Sequence, residues 1–264
     1  MEKRFIDKVV LITGAAGFIG SRIARRFAAE GAKIVLCDCN LALAQKLADE
    51  LSASGSETLA LEVDVKKSSD AHMAVNKAVE RFGRLDQLVC VAGGSTREKM
   101  CYFVDQDEDV MLDNIDVNFF GAFFFAHAAI QQMDRQKSGN IIFIASVLGT
   151  QGQRGCVEYS ASKGAVIAMC KALSMEAGEF GVRVNCVSPG LVERGTQFVG
   201  DRNYLGRNCT GEEIANVVAF LASDEASFVT GQNYTVDGGW GSGIQEGLKP
   251  IRYNFAAAKK NETR

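Results

Sequence analysis

The chain has 264 residues, of which 47% are hydrophobic and 23% are charged, enough for one large domain or two small ones with a filled core. The net charge is -3 with no long run of one sign, so the composition argues against a nucleic-acid partner. The longest apolar run, Phe119 to Ile130, is too short to span a bilayer, and we expect neither a signal peptide nor a membrane partner.

Short apolar strands alternate with longer amphipathic helices along the chain. The predicted strands are Lys8–Thr13, Lys33–Cys37, Thr58–Val63, Leu88–Val91, Asn140–Ala145, Arg183–Val187 and Asn233–Val236. The predicted helices are Phe18–Glu30, Leu41–Ala53, Ser69–Phe82, a long stretch over Asp105–Met133, a helix around Tyr159, and Thr210–Ser223. This alternation predicts a single α/β domain over residues 1–243, with a Rossmann-type doubly wound parallel sheet and helices on both faces. Residues 244–264 are expected to form a C-terminal tail.

The eight cysteines include no Cys-x-x-Cys pair, and histidine occurs only at His72 and His127. The chain therefore offers few residues that could form a metal site of cysteine and histidine ligands. We predict reduced cysteines that fill the core of a cytoplasmic protein, and no metal.

Three glycines, Gly14, Gly17 and Gly20, separate the first predicted strand from the first helix. A dinucleotide pyrophosphate binds backbone N–H groups at such a helix N-terminus, where side chains would block its approach. A purely structural turn would explain the glycines alone. Asp38, at the end of the second strand, adds a carboxylate placed to accept hydrogen bonds from both ribose hydroxyls and to repel a 2′-phosphate. The pattern therefore favours NAD over NADP.

Tyr159 and Lys163 stand four residues apart in a predicted helix, so both side chains leave one face, roughly one turn apart. A lysine ammonium beside a phenol favours the phenolate, which becomes a usable proton acceptor once its pKa falls from ~10 toward neutrality. The pair is a candidate catalytic base, although the same spacing also arises by chance on solvated helix faces.

Two more polar residues accompany this pair: Ser146, thirteen residues before Tyr159 at the end of a strand, and Asn118, inside the preceding long helix. In this order and spacing the chain resembles the short-chain dehydrogenase/reductase family over roughly residues 5 to 241. The other shared positions are Thr13-Gly14 with Gly20, Asp64-Val65, Ala92-Gly93, Pro189-Gly190 and Asp237-Gly238-Gly239.

The resemblance implies roles for the four polar residues. Ser146 would hold the substrate oxygen, Tyr159 would exchange its proton, Lys163 would lower the tyrosine pKa and bond the nicotinamide ribose, and Asn118 would hold a water that relays protons. The implied contacts with NAD come from Gly14, Gly17, Phe18, Ile19, Gly20, Asp38, Asp64, Val65, Ala92, Gly93, Tyr159, Lys163, Pro189, Gly190 and Val192.

Several positions depart from the pattern of the family's short, single-domain branch. Phe18 stands where that branch has a glycine, so the glycine spacing is typical of the extended branch. Cys90-Val91 replaces two asparagines that normally tie the central strand. Arg194 stands where a threonine often contacts the nicotinamide carboxamide, and Thr196 is a candidate replacement.

The loops that follow Gly93, Ser146 and Pro189 are expected to line the substrate crevice, since ligands bind beyond the carboxyl ends of the strands. These loops carry Arg97, Glu98, Lys99, Gln151, Gln153, Arg154, Glu193, Arg194 and Arg202. Their polarity favours a sugar, polyol or hydroxy acid as the small-molecule substrate over a steroid or other hydrophobic alcohol, although solvated loops are polar in any case.

Alternatives to an alcohol–ketone oxidoreductase are a catalytically silent NAD-binding scaffold or sensor, and an epimerase or dehydratase with the same hydride chemistry. The complete set Ser146, Tyr159 and Lys163 argues against the silent scaffold.

The family resemblance implies a homotetramer, or a homodimer. The tail either docks across a subunit interface through its apolar residues or is disordered. The crowded aromatic run Phe119, Phe120, Phe123, Phe124 and Phe125 predicts packing against another subunit.

Overall fold

The computed structural model describes residues 3–95, 99, 101–193 and 203–242. Within these residues the strands are β1 (Val9–Thr13), β2 (Lys33–Asp38), β3 (Thr58–Glu62), β4 (Gln87–Cys90), β5 (Gly139–Ile144), β6 (Val182–Pro189) and β7 (Asn233–Val236). The α-helices are α1 (Phe18–Ala29), α2 (Leu41–Ala53), α3 (Ser68–Phe82), α4 (Glu108–Ile115), α5 (Gly121–Gln136), α6 (Leu148–Gln151), α7 (Val157–Gly178) and α8 (Gly211–Ala222). The predicted alternation of strand and helix is confirmed.

All of these strands lie parallel in one sheet, in the order β3-β2-β1-β4-β5-β6-β7. β1 stands between β2 and β4, with Thr13 opposite Cys37 on one side and Cys90 on the other. The chain therefore builds outward from β1 in one direction and, after β3, in the opposite direction. This reversal opens a crevice beyond the carboxyl ends of β1 and β4, which is where ligands bind in open α/β sheets. The predicted doubly wound sheet is confirmed.

Every side chain of β1 is buried, because helices cover both faces of the sheet. Val9 and Leu11 belong to the apolar core on one face, and Val10 and Ile12 belong to the core on the other. A strand buried on both faces reads as a continuous apolar run, as this one does. Burial of each such large side chain contributes about 1.5–3 kcal/mol to the stability of the fold. The position of β1, and so of the start of the glycine turn, is therefore well fixed.

The long helical stretch predicted over Asp105–Met133 is divided into α4, a π-helical turn at Asp116–Phe120, and α5. α4 begins at Glu108, and the preceding Asp107 carboxylate caps it by accepting a hydrogen bond from the Asp109 amide at 2.9 Å. At the end of the π turn, the Gly121 amide donates to the Asp116 carbonyl five residues back. The predicted long helical stretch is therefore present from Glu108 to Gln136, but the sequence did not predict its π turn, because such a turn inserts one residue without changing the apolar composition.

The phenylalanines of the π turn and α5 point in several directions. Phe125 is fully buried, whereas Phe120 and Phe123 are 40% and 44% exposed. Phe119 and Phe124 are partly buried, and the Phe119–Phe123 and Phe120–Phe124 ring centroids are each 5.9 Å apart. The phenylalanines therefore do not form one buried stripe, and the contact of this run with another subunit stays a prediction.

The eight cysteines are free thiols, and five of them are buried: Cys37, Cys90, Cys156, Cys170 and Cys186. Desolvation raises the pKa of the Cys37 and Cys90 thiols well above the ordinary value, which keeps them protonated. These side chains behave as small apolar residues of the core.

Within the described ranges, none of the helices combines the length and the apolar character that a transmembrane segment requires. In the same ranges, no three or more His, Cys, Asp or Glu side chains stand close enough together to hold a metal ion.

Candidate active site

Ser146, Tyr159 and Lys163 line one cavity of about 400 Å³, here called the Tyr159 cavity. Ser146 lies just beyond the end of β5, and its hydroxyl accepts a hydrogen bond from the Leu148 amide at 3.2 Å. Tyr159 and Lys163 lie one turn apart on α7, with the lysine Nζ 5.9 Å from the tyrosine ring centroid. The fold thus brings a strand end and a helix face together around one space.

Lys163 is a buried lysine, with 3% of its surface exposed. Its Nζ donates a hydrogen bond to the Ile144 carbonyl at 3.0 Å, which aims the ammonium at the carboxyl end of β5. Desolvation lowers the pKa of this ammonium from 10.5 to about 8. A positive charge that is poorly solvated at neutral pH favours a nearby anion, such as a phenolate or a developing alkoxide.

A second cavity, of about 540 Å³, lies along the first glycine turn and is here called the glycine-turn groove. Ile19, Val91 and Gly93 line both this groove and the Tyr159 cavity, so the two spaces adjoin. The predicted cofactor residues divide between them. The groove is lined by Gly14, Gly17, Phe18, Ile19, Gly20, Asp38, Asp64, Val65, Ala92 and Gly93, and the Tyr159 cavity by Tyr159, Lys163, Pro189, Gly190 and Val192, with Ile19 and Gly93 shared.

The glycine turn is closely packed at each end. Gly14 has φ +62°, and a Cβ placed on it would lie 2.8 Å from the Ala92 Cα. A Cβ on Gly20 would lie 2.1 Å from the Gly14 carbonyl oxygen. Gly17 is the residue before α1 and has no side chain to cover the first amides of the helix. These amides and the positive end of the helix dipole therefore suit an anion such as a pyrophosphate.

The Asp38 carboxylate is held at the edge of the groove by two backbone amides. One oxygen accepts from Ala16 N at 2.9 Å, and the other accepts from Asn40 N at 3.0 Å. Asn40 in turn caps α2 by accepting from the Leu43 amide. Each carboxylate oxygen keeps further lone pairs, so Asp38 is fixed in position and can still accept hydrogen bonds from a ligand.

Asn118 lies in the π turn, and its side chain is 2% exposed. Its Oδ1 accepts from the Gly94 amide at 3.0 Å, and its Nδ2 donates to the Gly94 carbonyl at 3.0 Å. The carboxamide therefore holds the chain directly after β4. The side chain of Asn118 is hydrogen-bonded to backbone groups. Its implied role in holding a water that relays protons stays a prediction.

Gly93 lies where the two cavities meet and has no room for a side chain. A Cβ there would stand 2.4 Å from Asn118 Oδ1 and 3.3 Å from Lys163 Nζ, and the residue has φ +142°. Only glycine has ready access to this backbone conformation. Gly93 thus packs its backbone directly against the two polar residues.

Some residues in or beside these cavities had no site role predicted from the sequence. Thr13 Oγ1 accepts from the amides of Val91 and Ala92 at 3.1 and 3.2 Å, which ties the end of β4 to β1 in place of asparagine side chains. Trp240 and Cys156 line the Tyr159 cavity. The one sequence feature that could have pointed to Trp240 is its position directly after a double glycine. No local sequence feature pointed to Cys156.

Part of the predicted substrate loops can be placed. Gln153 lines the Tyr159 cavity, whereas the Arg154 guanidinium lies 5.8 Å from the Tyr102 ring centroid. Among the described residues that line this cavity, Lys163 is the only charged side chain. The predicted contributions of Arg97, Glu98, Arg194, Thr196, Arg202 and the tail 244–264 lie outside the described residues.

Comparisons with known proteins identify the family of this chain. The family model described as enoyl-(acyl carrier protein) reductase matches residues 14–241. Meso-2,3-butanediol dehydrogenase of Serratia marcescens is 38% identical over 89% of this chain and 95% of that protein. Cyclohexanol dehydrogenase of an Acinetobacter species is 34% identical over 92% of this chain and 98% of that protein. A crystal structure of NAD+-bound xylitol dehydrogenase matches with a TM-score of 0.85 and 31% identity, covering 90% of this chain and 100% of that one. The chain therefore belongs to the short-chain dehydrogenase/reductase family of oxidoreductases, which bind a nicotinamide cofactor.

Proposed function

We propose that this protein is an NAD-dependent oxidoreductase that interconverts a secondary alcohol and a ketone in a polar hydroxy compound. The observation that supports it most is the convergence of Ser146, Tyr159 and Lys163 on a cavity that adjoins the glycine-turn groove. A dinucleotide needs such a pair of connected spaces, one for its adenosine and pyrophosphate and one for its reactive ring.

Each polar residue has a role in this proposal. Ser146 donates a hydrogen bond to the substrate oxygen and positions it. Tyr159 removes the proton from the hydroxyl during oxidation and returns it during reduction. Lys163 stabilises the tyrosine phenolate through its partly desolvated charge. The nicotinamide supplies the hydride acceptor for oxidation and the hydride donor for reduction.

The preference for NAD rests on Asp38. A 2′-phosphate at the groove edge would meet a carboxylate that two backbone amides hold in place. The xylitol dehydrogenase among the structural relatives has NAD+ bound, which is in keeping with this choice.

The substrate class rests on the described wall of the Tyr159 cavity. Gln153 supplies a polar group, and Leu148, Leu191 and Trp240 supply apolar surface. Lys163 is the charged member of the described lining, and its cation is compatible with a hydroxy acid as well as with a sugar or polyol. The butanediol, cyclohexanol and xylitol dehydrogenases among the relatives support a compact alcohol.

Assembly as a homotetramer, or a homodimer, is part of the proposal. The partly exposed rings of Phe120 and Phe123 support it, because apolar surface of this kind is commonly covered by a partner. A cytoplasmic location is proposed from the reduced cysteines.

The test is NADH absorbance with the purified protein across a panel of diols, polyols, cyclic alcohols, hydroxy acids and steroids, with NAD and NADP compared. We expect net NADH formation with compact polar alcohols and a higher kcat/KM with NAD. Tyr159→Phe removes the proton-transfer group and should lower kcat about 10²- to 10⁴-fold while NADH still binds. Unchanged turnover in that variant would show that the mechanism is wrong, and preference for NADP would contradict the argument from Asp38.

A further inference from the structure

Asn114 is a polar residue inside the protein to which the mechanism above gives no role. It is the buried residue of α4, with 2% of its surface exposed, in a helix whose other residues are at least partly exposed. Burying a carboxamide costs free energy unless its polar atoms find hydrogen-bond partners. The partners of Asn114 therefore indicate what the residue does.

These partners lie in three different elements. Asn114 Oδ1 accepts from Asn118 Nδ2 at 3.1 Å, and it lies 3.4 Å from Ser162 Oγ, whose hydroxyl is also 2.9 Å from the Tyr159 carbonyl. Its own Nδ2 lies 3.4 Å from the Gly94 carbonyl, to which it donates. Asn114 thus connects α4 with the π turn, with α7 between Tyr159 and Lys163, and with the chain that follows β4.

The contact with Asn118 fixes the orientation of that carboxamide. Asn118 Nδ2 faces the Asn114 side-chain oxygen, the Asn114 carbonyl at 2.9 Å and the Gly94 carbonyl at 3.0 Å. Three acceptors on one side leave the opposite side, Oδ1, for the Gly94 amide. Reversing the amide would set lone pairs against lone pairs, so Asn114 and Gly94 together select one orientation.

This orientation matters for the site because Asn118 supports the strip of backbone between the two cavities. A Cβ on Gly93 would lie 2.4 Å from Asn118 Oδ1 and 3.3 Å from Lys163 Nζ, so these two groups occupy the space that a side chain at Gly93 would need. Gly93 lines both cavities. A shift of Asn118 would therefore move backbone that lines both cavities.

We infer that Asn114 is a positioning residue, which holds the Asn118 carboxamide and, through it, the Gly93–Gly94 backbone against Lys163. The expected loss of kcat rests on the proposed function. The role of Asn114 in holding Asn118 does not depend on it. Replacement of Asn114 is expected to misalign the reaction more than it weakens dinucleotide binding, since Asp38 has its own backbone supports and the neighbours of Asn114 that line the groove, Asp113 and Val117, are unchanged in the variant.

The test compares Asn114→Leu with wild type and with Leu112→Ala, a control on the exposed side of the same helix, where Leu112 is 60% exposed. In Asn114→Leu we expect faster hydrogen exchange at the Gly94 amide, a kcat at least tenfold lower, and a Kd for NADH within about threefold of wild type. The control should match wild type in all three. Asn114→Ala, which adds no bulk, replaces the leucine variant if the latter does not fold.

Unchanged exchange at Gly94, or an unchanged kcat in an active enzyme, would overturn the inference and leave the proposed function standing. A wild-type protein without turnover on any alcohol or ketone would instead reject the proposed function, and Gly94 exchange alone would then decide the positioning role. A loss of NADH binding as large as the loss of kcat would show that Asn114 supports the groove as a whole and would also overturn it.

Discussion

Lys163 is the charged residue of the described lining of the Tyr159 cavity. Its surroundings determine the free energy needed to bury that charge. Its ammonium donates to the Ile144 carbonyl inside the protein, and burial lowers its pKa from 10.5 to about 8. A change of this size corresponds to about 3 kcal/mol against the charged form in the cofactor-free protein. Because it is poorly solvated, the ammonium stabilises a neighbouring phenolate more strongly. Burial of this charge therefore lowers the stability of the fold while it favours proton transfer.

The pH dependence of stability should reveal this cost. Below pH 8 the lysine is charged in both folded and unfolded states, and the folded state bears the full penalty. Between pH 8 and 10.5 the folded lysine is neutral while the unfolded one stays charged, so stability from this group rises with pH. Relative to Lys163→Met, the cofactor-free wild type should therefore gain up to about 3 kcal/mol between pH 7 and 10.5.

Urea unfolding of both proteins at pH 7, 9 and 10 measures this difference. Lys46→Met, at an exposed position of α2, is the matched control and should track wild type at every pH. Parallel curves for wild type and Lys163→Met would contradict the depressed pKa.

At the scale of elements, two irregular segments shape the cavities that the regular sheet leaves open. The π turn carries Asn118 inward, and the turn after β7 carries Trp240 to the Tyr159 cavity. In that second turn the Asp237 carboxylate accepts from the amides of Gly239 and Gly241 at 2.9 and 2.8 Å. A Cβ on Gly190 would lie 2.9 Å from the Asp237 Cα, so the turn is packed against the end of β6. Trp240 is thus presented by a fixed scaffold.

We expect Trp240 to limit substrate size. Trp240→Ala removes an aromatic wall, and the ratio of kcat/KM for a bulky cyclic alcohol to that for a compact diol should rise about tenfold or more. The measurement is steady-state kinetics with both substrates, with the Kd for NADH as the internal control. An unchanged ratio together with unchanged NADH binding would mean that Trp240 does not contact the substrate.

At the scale of the molecule, the strand order places both cavities at one edge of the sheet and leaves the aromatic face of α5 elsewhere. Because β1 and β4 are neighbours with chain connections on opposite sides, their carboxyl ends form the crevice. α5 is instead packed mainly against α3 on the flank of the sheet, with Phe120 and Phe123 partly exposed at its start.

Phe123→Asp tests that assembly. A carboxylate buried without a partner in a subunit contact is costly, so the variant should have a lower molar mass than wild type in solution. Light scattering after size exclusion gives the mass, and Leu43→Asp, at a 52% exposed position on α2, is the control that should keep the wild-type mass. Equal masses for wild type and Phe123→Asp would contradict a contact through this face.

The sequence by itself determined the parallel sheet, the glycine turn and the placing of Tyr159 and Lys163 on one helix face. These features depend on local spacing, since strand and helix periods and glycine requirements act over a few residues. The roles predicted for Ser146, Tyr159, Lys163 and the cofactor residues rest largely on the family resemblance and await experiment.

Only the tertiary structure decided the rest. The depressed pKa of Lys163 depends on how much protein surrounds it, and no spacing reports that. The contacts of Asn114 with Gly94 and Ser162 and the meeting of the two cavities at Gly93 join residues distant in the chain. Contacts of this kind arise when elements pack, so they appear only once the sheet and its helices are assembled.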